Sequence, residues 1–163
     1  MHNSCMPLDR FDLRILAALQ DHGDMGPGDI SALVNLSPSQ CSRRMQQLRA
    51  SGHIRAVRAV LDAAQLGIGI SAYVMLTMTS HDPQRAAQFR ARLCEMAEVL
   101  ECQLLTGSPD MILKVATRDL ASLNDLLTRH LLAAPEVATA RTSIILQDVK
   151  STSSLPLTFA GQS

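Results

Sequence analysis

Read from the N-terminus, apolar residues recur first at helical spacing and later at strand spacing. From Leu8 to His22, Phe11, Ile15, Leu16 and Leu19 share one side of a helix. Asp9 and Asp12 lie near its start, where the helix dipole favours carboxylates, and Gly23 ends it. Pro27 opens a second helix with Ile30, Leu33 and Val34 on its apolar face. Asn35 tolerates the left-handed conformation that closes a helix. Ser37 then stands where an N-cap belongs, Pro38 at the first helical position, and Gln40 completes a capping box. Cys41, Met45 and Leu48 follow at i, i+4 and i+7 as one buried stripe. Three helices of this kind predict a helix-turn-helix unit. After Gly52, the segment HIRAVRAVLD alternates Ile54, Val57 and Val60 with Arg55 and Arg58, which predicts a short strand pair or wing.

Residues 62–69 (DAAQLGIG) read as a hinge, and beyond them the pattern changes. A strand is expected over 70–79, then a helix from Asp82 or Pro83 to about Ala97 carrying Ala86, Phe89, Leu93 and Met96 on one side. Strands are expected over 99–106 and 111–116, joined by the turn Gly107-Ser108-Pro109-Asp110. A second helix over 119–132 aligns Leu120, Leu123, Leu127 and Leu131. Pro135 stops it, and a last strand runs over 137–149. Strand, helix, strand, strand, helix, strand is the ferredoxin-like split βαβ order. The fold class is therefore α+β, with a winged helix-turn-helix over 1–61, a hinge over 62–69, a ferredoxin-like domain over 70–150 and a flexible tail over 151–163. Helices on one face of the sheet leave the other for a second subunit.

The third helix carries the chemistry. Ser39, Gln40, Ser42, Arg43, Arg44, Gln46 and Gln47 lie off its apolar stripe, most of them facing water or a partner. Arg pairs with guanine, Gln with adenine, and Ser with phosphate or base edges. A solvated face would serve equally well for polar residues in general, but local charge argues otherwise. Between Ile30 and Leu61 stand Arg43, Arg44, Arg49, Arg55 and Arg58 with no Asp or Glu, in a chain balanced at 15 basic and 15 acidic residues. A one-sign patch is the footprint of a polyanion. Duplex DNA is the expected partner, with Ser37, Ser39, Gln40, Ser42, Arg43, Arg44, Gln47, Arg55 and Arg58 as contact residues.

Composition narrows the field. Apolar residues make up 47% of the chain, enough for a core, but no apolar run approaches the ~20 residues of a membrane span. MHNSCMPLDR has no secretory h-region, so a cytoplasmic protein is expected. Cys5, Cys41, Cys94 and Cys102 form no C-x-x-C pair and read as reduced thiols; the five histidines lack ligand spacing. No cofactor or metal is expected. Aromatics at 2% argue against single-strand binding by base stacking.

In order and spacing, LDRFDLRILAALQ (8–20), LSPSQCSRRMQQL (36–48), SGHI (51–54), the TG-x-x-D turn (106–110) and RTSIILQDVK (141–150) resemble the Lrp/AsnC, or feast/famine, transcription regulators. The resemblance implies a cytoplasmic homodimer built through the C-terminal sheet, often an octamer, with an amino-acid effector in a cleft between dimers. By position it implies that Gly107 offers backbone contacts and that Asp110 orders the loop or the ligand amine. Leu104, Thr106 and Leu120 would shape the pocket, with Ser143 and Ile145 nearby. Family members often read G-D-[FY]-D where this chain has Gly107-Ser108-Pro109-Asp110. One acidic group near a ligand ammonium is lost and the backbone stiffens, which leaves a different ligand, or none, open. Two other readings compete. Tetrapyrrole-processing decarboxylases share the two-domain layout, but LLTGSPD lacks the His, Tyr and Arg that such enzymes carry there. A sensor module without DNA binding would not need the capping box and arginine patch.

Overall fold

The computed structural model describes residues 7–79 and 82–160. Cys5 and the N-terminal leader reading fall outside them, as does the end of the tail. The chain divides into two compact units, Met1–Val60 with Lys150–Ser163 and Leu61–Val149.

The first unit holds α1 (Arg10–Asp21), α2 (Pro27–Val34) and α3 (Pro38–Ala50). Ile15, Ile30, Val34, Cys41, Met45 and Leu48 form its buried core, flanked by Leu8, Leu16, Leu19, Met25, Leu36 and Ile54. Asp9 caps α1 by accepting from the Phe11 and Asp12 N–H groups, and Asp12 returns the bond to the Asp9 N–H. The expected wing does not form: residues 53–61 contain no strand. Ile54 alone reaches the core, its N–H donating to the Leu48 carbonyl at 3.0 Å. Val57 and Val60 stay exposed, so the alternation has no apolar surface to dock on. The tail, expected to fray, instead meets α1. The Gln20 side-chain amide donates to the Leu155 carbonyl (3.1 Å) and accepts from its N–H (2.6 Å), ahead of a 3₁₀ turn over Leu157–Phe159.

The second unit is an antiparallel sheet of β1 (Ile70–Met78), β2 (Val99–Leu104), β3 (Met111–Thr117) and β4 (Val137–Ile144), in the order β2-β3-β1-β4. With α4 (Pro83–Glu95) and α5 (Leu120–Asp125) it makes the expected ferredoxin-like arrangement. Ala72, Val74 and Leu76 of β1 sit in register with Val115, Leu113 and Met111 of β3, and these six join Phe89, Leu93, Leu123, Leu126 and Leu131 in one core. The second helix differs from expectation. After α5 the chain widens into a π-helical turn over Leu126–Leu131, beside the Thr128 hydroxyl that bonds back to the Asn124 carbonyl at 2.8 Å. The wider turn buries Leu126 and Leu131, five residues apart, and leaves Leu120 exposed. The last strand stops at Ile144 rather than running to Val149, and Leu146 and Val149 project into solvent.

Candidate nucleic-acid interface and effector loop

The turn into α3 is built as its residues require. Asn35 closes α2 at φ 58°, ψ 46°. The Ser37 hydroxyl accepts from the Gln40 N–H at 3.3 Å, and the Ser37 N–H donates to Gln40 Oε1 at 2.9 Å. Ser37 Oγ also lies 3.0 Å from Ser39 Oγ. The Arg14 guanidinium donates to the Leu33 carbonyl, tying α1 to the end of α2.

The capping bonds sort the expected DNA-binding residues. Ser37 and Gln40 are exposed but committed to holding the start of α3. Ser42 is half-buried. Ser39, Arg43 and Gln47 are exposed at i, i+4 and i+8 on the side away from Cys41 and Leu48. Gln46 and Arg49, not singled out above, are exposed as well. Spacing could have found Gln46, three residues after Arg43 and seven after Ser39. Arg55 and Arg58 are exposed on the extended segment.

Arg44 is the exception. Its Nη1 lies 2.7 Å from Asp12 Oδ1 and 2.9 Å from Asp9 Oδ2, and its guanidinium carbon sits 5.5 Å from the centre of the Phe11 ring. The Arg44 side chain is 21% exposed, and Asp12 is buried. Hydrogen bonding to Asp12 raises the Arg44 pKa further, with the Asp9 carboxylate adding to it. Partial desolvation pushes the Asp9 carboxyl up, but the Asp12 and Phe11 N–H groups and Arg44 outweigh it, and its pKa falls below the usual carboxylate range. Arg44 was expected to face a duplex; it faces α1 instead. The signal was its position, three residues after Cys41 and four before Leu48, at the edge of the buried stripe. Among the described residues Arg43, Arg49, Arg55 and Arg58 are exposed and in no ion pair.

The expected effector residues do not converge within one chain. Leu104 and the loop Thr106–Asp110 sit at the end of the sheet where Leu76 pairs with Met111. Leu120 follows β3 at the opposite end, where Ser143 pairs with Tyr73 and the Ile145 N–H donates to the Ser71 carbonyl at 2.9 Å. The two groups stand about 15 Å apart along the strands. Asp110 is spent on the loop: Oδ2 accepts from the Met78 N–H at 2.7 Å, and its own N–H donates to the Leu76 carbonyl at 3.0 Å. Gly107 takes φ 98°, a conformation that favours glycine. Leu104, Thr106, Gly107 and Ser108 are exposed, and Pro109 is half-buried. Leu120 instead borders an open apolar groove of about 560 Å³ with Leu123, Leu127, Thr142 and Ile144.

With this geometry in place, the comparisons are specific. Residues 8–49 match the AsnC-type helix-turn-helix domain and residues 71–155 the Lrp/AsnC ligand binding domain. The leucine-responsive regulatory protein of Haemophilus influenzae is 34% identical over 150 residues, 92% of this chain and 90% of that protein. A proline dehydrogenase transcriptional activator of Rhizobium radiobacter is 32% identical over 145 residues, 89% of this chain and 93% of its own length. A transcriptional regulator of Neisseria meningitidis, solved as a complex with L-Met, superposes with a TM-score of 0.88 at 33% identity, covering 92% of this chain and 97% of that one. The two domains thus define a DNA-binding transcriptional regulator with a ligand-binding domain. The chain belongs to the Lrp/AsnC family. Among the described residues no helix is long and apolar enough to cross a membrane.

Proposed function

We propose that α3 enters the major groove of duplex DNA with Ser39, Arg43, Gln46 and Gln47 toward the base edges, while Arg49, Arg55 and Arg58 take phosphates. The observation that carries this reading is the unpaired arginine face, free of acidic residues, on the third helix of an AsnC-type unit. Ser37 and Gln40 act through the cap, by aiming the helix start and its N–H groups. Arg43, the outermost guanidinium, reads guanine in a bidentate pair, and Gln46 or Gln47 reads adenine.

The chain works in the cytoplasm as a homodimer joined through the sheet face that no helix covers. Tyr73, Met75 and Ile112 leave apolar surface there. Paired recognition helices then address a near-palindromic site. Dimers assemble further, to an octamer, and the loop around Gly107 and Ser108 contributes to an effector site completed by another copy. An amino acid is the effector class, in keeping with the L-Met complex of the Neisseria relative. Its amine is bound by backbone carbonyls or the neighbouring copy, because Asp110 is already engaged.

The test is selection of duplexes from a randomised pool, followed by measurement with Arg43→Ala. Losing one bidentate contact costs about 1–3 kcal/mol and relaxes preference at one base pair. Unchanged affinity and preference would remove Arg43 from the interface. For the effector, a thermal-shift panel of amino acids reads binding to the folded form. A positive shift lost in Gly107→Val supports the loop, and a silent panel counts against an amino acid.

A further inference from the structure

We propose that Arg44 is a positioning residue for DNA reading: it fixes the angle of α3 on the first turn of α1 through Asp9 and Asp12, and does not touch the duplex. This rests on the reading that α3 enters the groove. The apolar stripe of α3 is Cys41, Met45 and Leu48. A small thiol and an unbranched thioether hold two helices together but resist sliding and rotation weakly. Directional restraint has to come from elsewhere.

Arg44 supplies it. One guanidinium nitrogen is held between two carboxylates at 2.7 and 2.9 Å, and the group lies over the Phe11 ring. Neither carboxylate can yield cheaply. Asp9 accepts from the Phe11 and Asp12 N–H groups at 2.8 and 2.9 Å, and Asp12 accepts from the Asp9 N–H at 3.1 Å. Moving either would open the start of α1. Arg43 is the next residue, so a fixed Arg44 also fixes the direction in which Arg43 leaves the helix. Bidentate base contacts tolerate errors of only about 0.5 Å and 10–20°.

A contrast of sign makes this testable. Asp12 and Asp9 are negative groups beside a surface that faces a polyanion. Neutralising either should strengthen binding to any DNA if charge alone matters. A positioning clamp requires the opposite for the preferred site. The experiment uses the full chain, a duplex enriched from a random pool by the unaltered protein, and a shuffled duplex of equal length. The readouts are the ratio of the two affinities and the salt slope. Arg44→Ala and Asp12→Asn should each lower the ratio about tenfold, and the double variant should fall no further than the worse single one. Arg44→Lys should recover part of the loss. A purely structural role would cut active protein and weaken both duplexes equally, leaving the ratio unmoved. Asp9→Asn keeps an N-cap side chain and serves if Arg44→Ala does not fold.

An unchanged ratio in Asp12→Asn and Asp9→Asn overturns the proposal. So does a salt slope shallower by about 1 in Arg44→Ala, the mark of a lost phosphate contact. Arg43→Ala, run alongside, separates the two levels. If it changes neither ratio nor slope, the groove reading itself falls and takes the clamp's function with it. If it weakens binding while the clamp variants keep the ratio, only the clamp is refuted.

Discussion

Removing the Arg44 side chain should loosen α3 far more than removing Arg43 beside it. Two limits bracket the size. A fully exposed ion pair contributes about 0.2–1 kcal/mol, and breaking a buried one by deleting a single partner costs about 3–5 kcal/mol. Arg44 is 21% exposed while Asp12 is 8% exposed at the side chain, so the pair lies between these limits. Deletion leaves Asp12 with only the Asp9 N–H at 3.1 Å for compensation and strips one face of Phe11. The expected loss is about 2 kcal/mol, or roughly 30-fold in local opening. Native-state hydrogen exchange measures this directly, because it reports each unit separately. Amides of α3 in Arg44→Ala should exchange about 30-fold faster, those of β1 and β3 at the native rate, and Arg43→Ala should stay within about 0.5 kcal/mol of native. Arg44→Met with Asp12→Asn should restore most of the protection, since no buried charge is then left alone. Protection of α3 within twofold of native in Arg44→Ala would refute this account of the clamp.

Acid should weaken the second unit through Asp119. The Ser122 N–H, the Ser122 hydroxyl and Arg118 hold its carboxyl at a pKa of about 2, against an ordinary 3.8. A depressed folded pKa gives stability that is present above the unfolded value and lost as pH falls from about 4 toward 2. Asp119→Ala should therefore flatten the pH dependence of the urea midpoint in that window, and an unaltered dependence would count against the capping bonds. Gly69→Ala should destabilise the same unit by about 1–3 kcal/mol. An added Cβ would meet the Arg118 carbonyl oxygen at 2.5 Å, while the Gly69 N–H is tied to the Thr117 carbonyl at 3.1 Å. Slower exchange, or none gained, at the β1 and β3 amides would refute that clash.

Local signals carried well from sequence to structure. Asn35, Ser37, Pro38 and Gln40 specify a helix end and a helix start within six residues, and the structure forms both. Period-two alternation located all four strands, although β4 ends early because Leu146 and Val149 find no partner surface. What failed was non-local. The π-helical turn adds one residue per turn, a change that no pattern of leucines announces. The wing was read from alternation alone, without a surface for Val57 and Val60 to cover. Arg44 was read as outward because its charge suited DNA, yet its partners lie more than thirty residues earlier, in α1. The effector residues were carried over by position, and residues that line a cleft between copies need not meet within one chain.

Salt dependence of DNA affinity tests the central claim most directly. A dimer presenting Arg43, Arg49, Arg55 and Arg58 twice makes about eight phosphate or base contacts, so log affinity should fall against log salt with a slope of about −7. Arg43→Ala should make that slope shallower by about 2 per dimer if it holds phosphate, or leave the slope and erase one base preference if it reads guanine. A slope shallower than about −2 in the unaltered protein, with no preference among duplexes, would contradict the assignment of α3 to the groove.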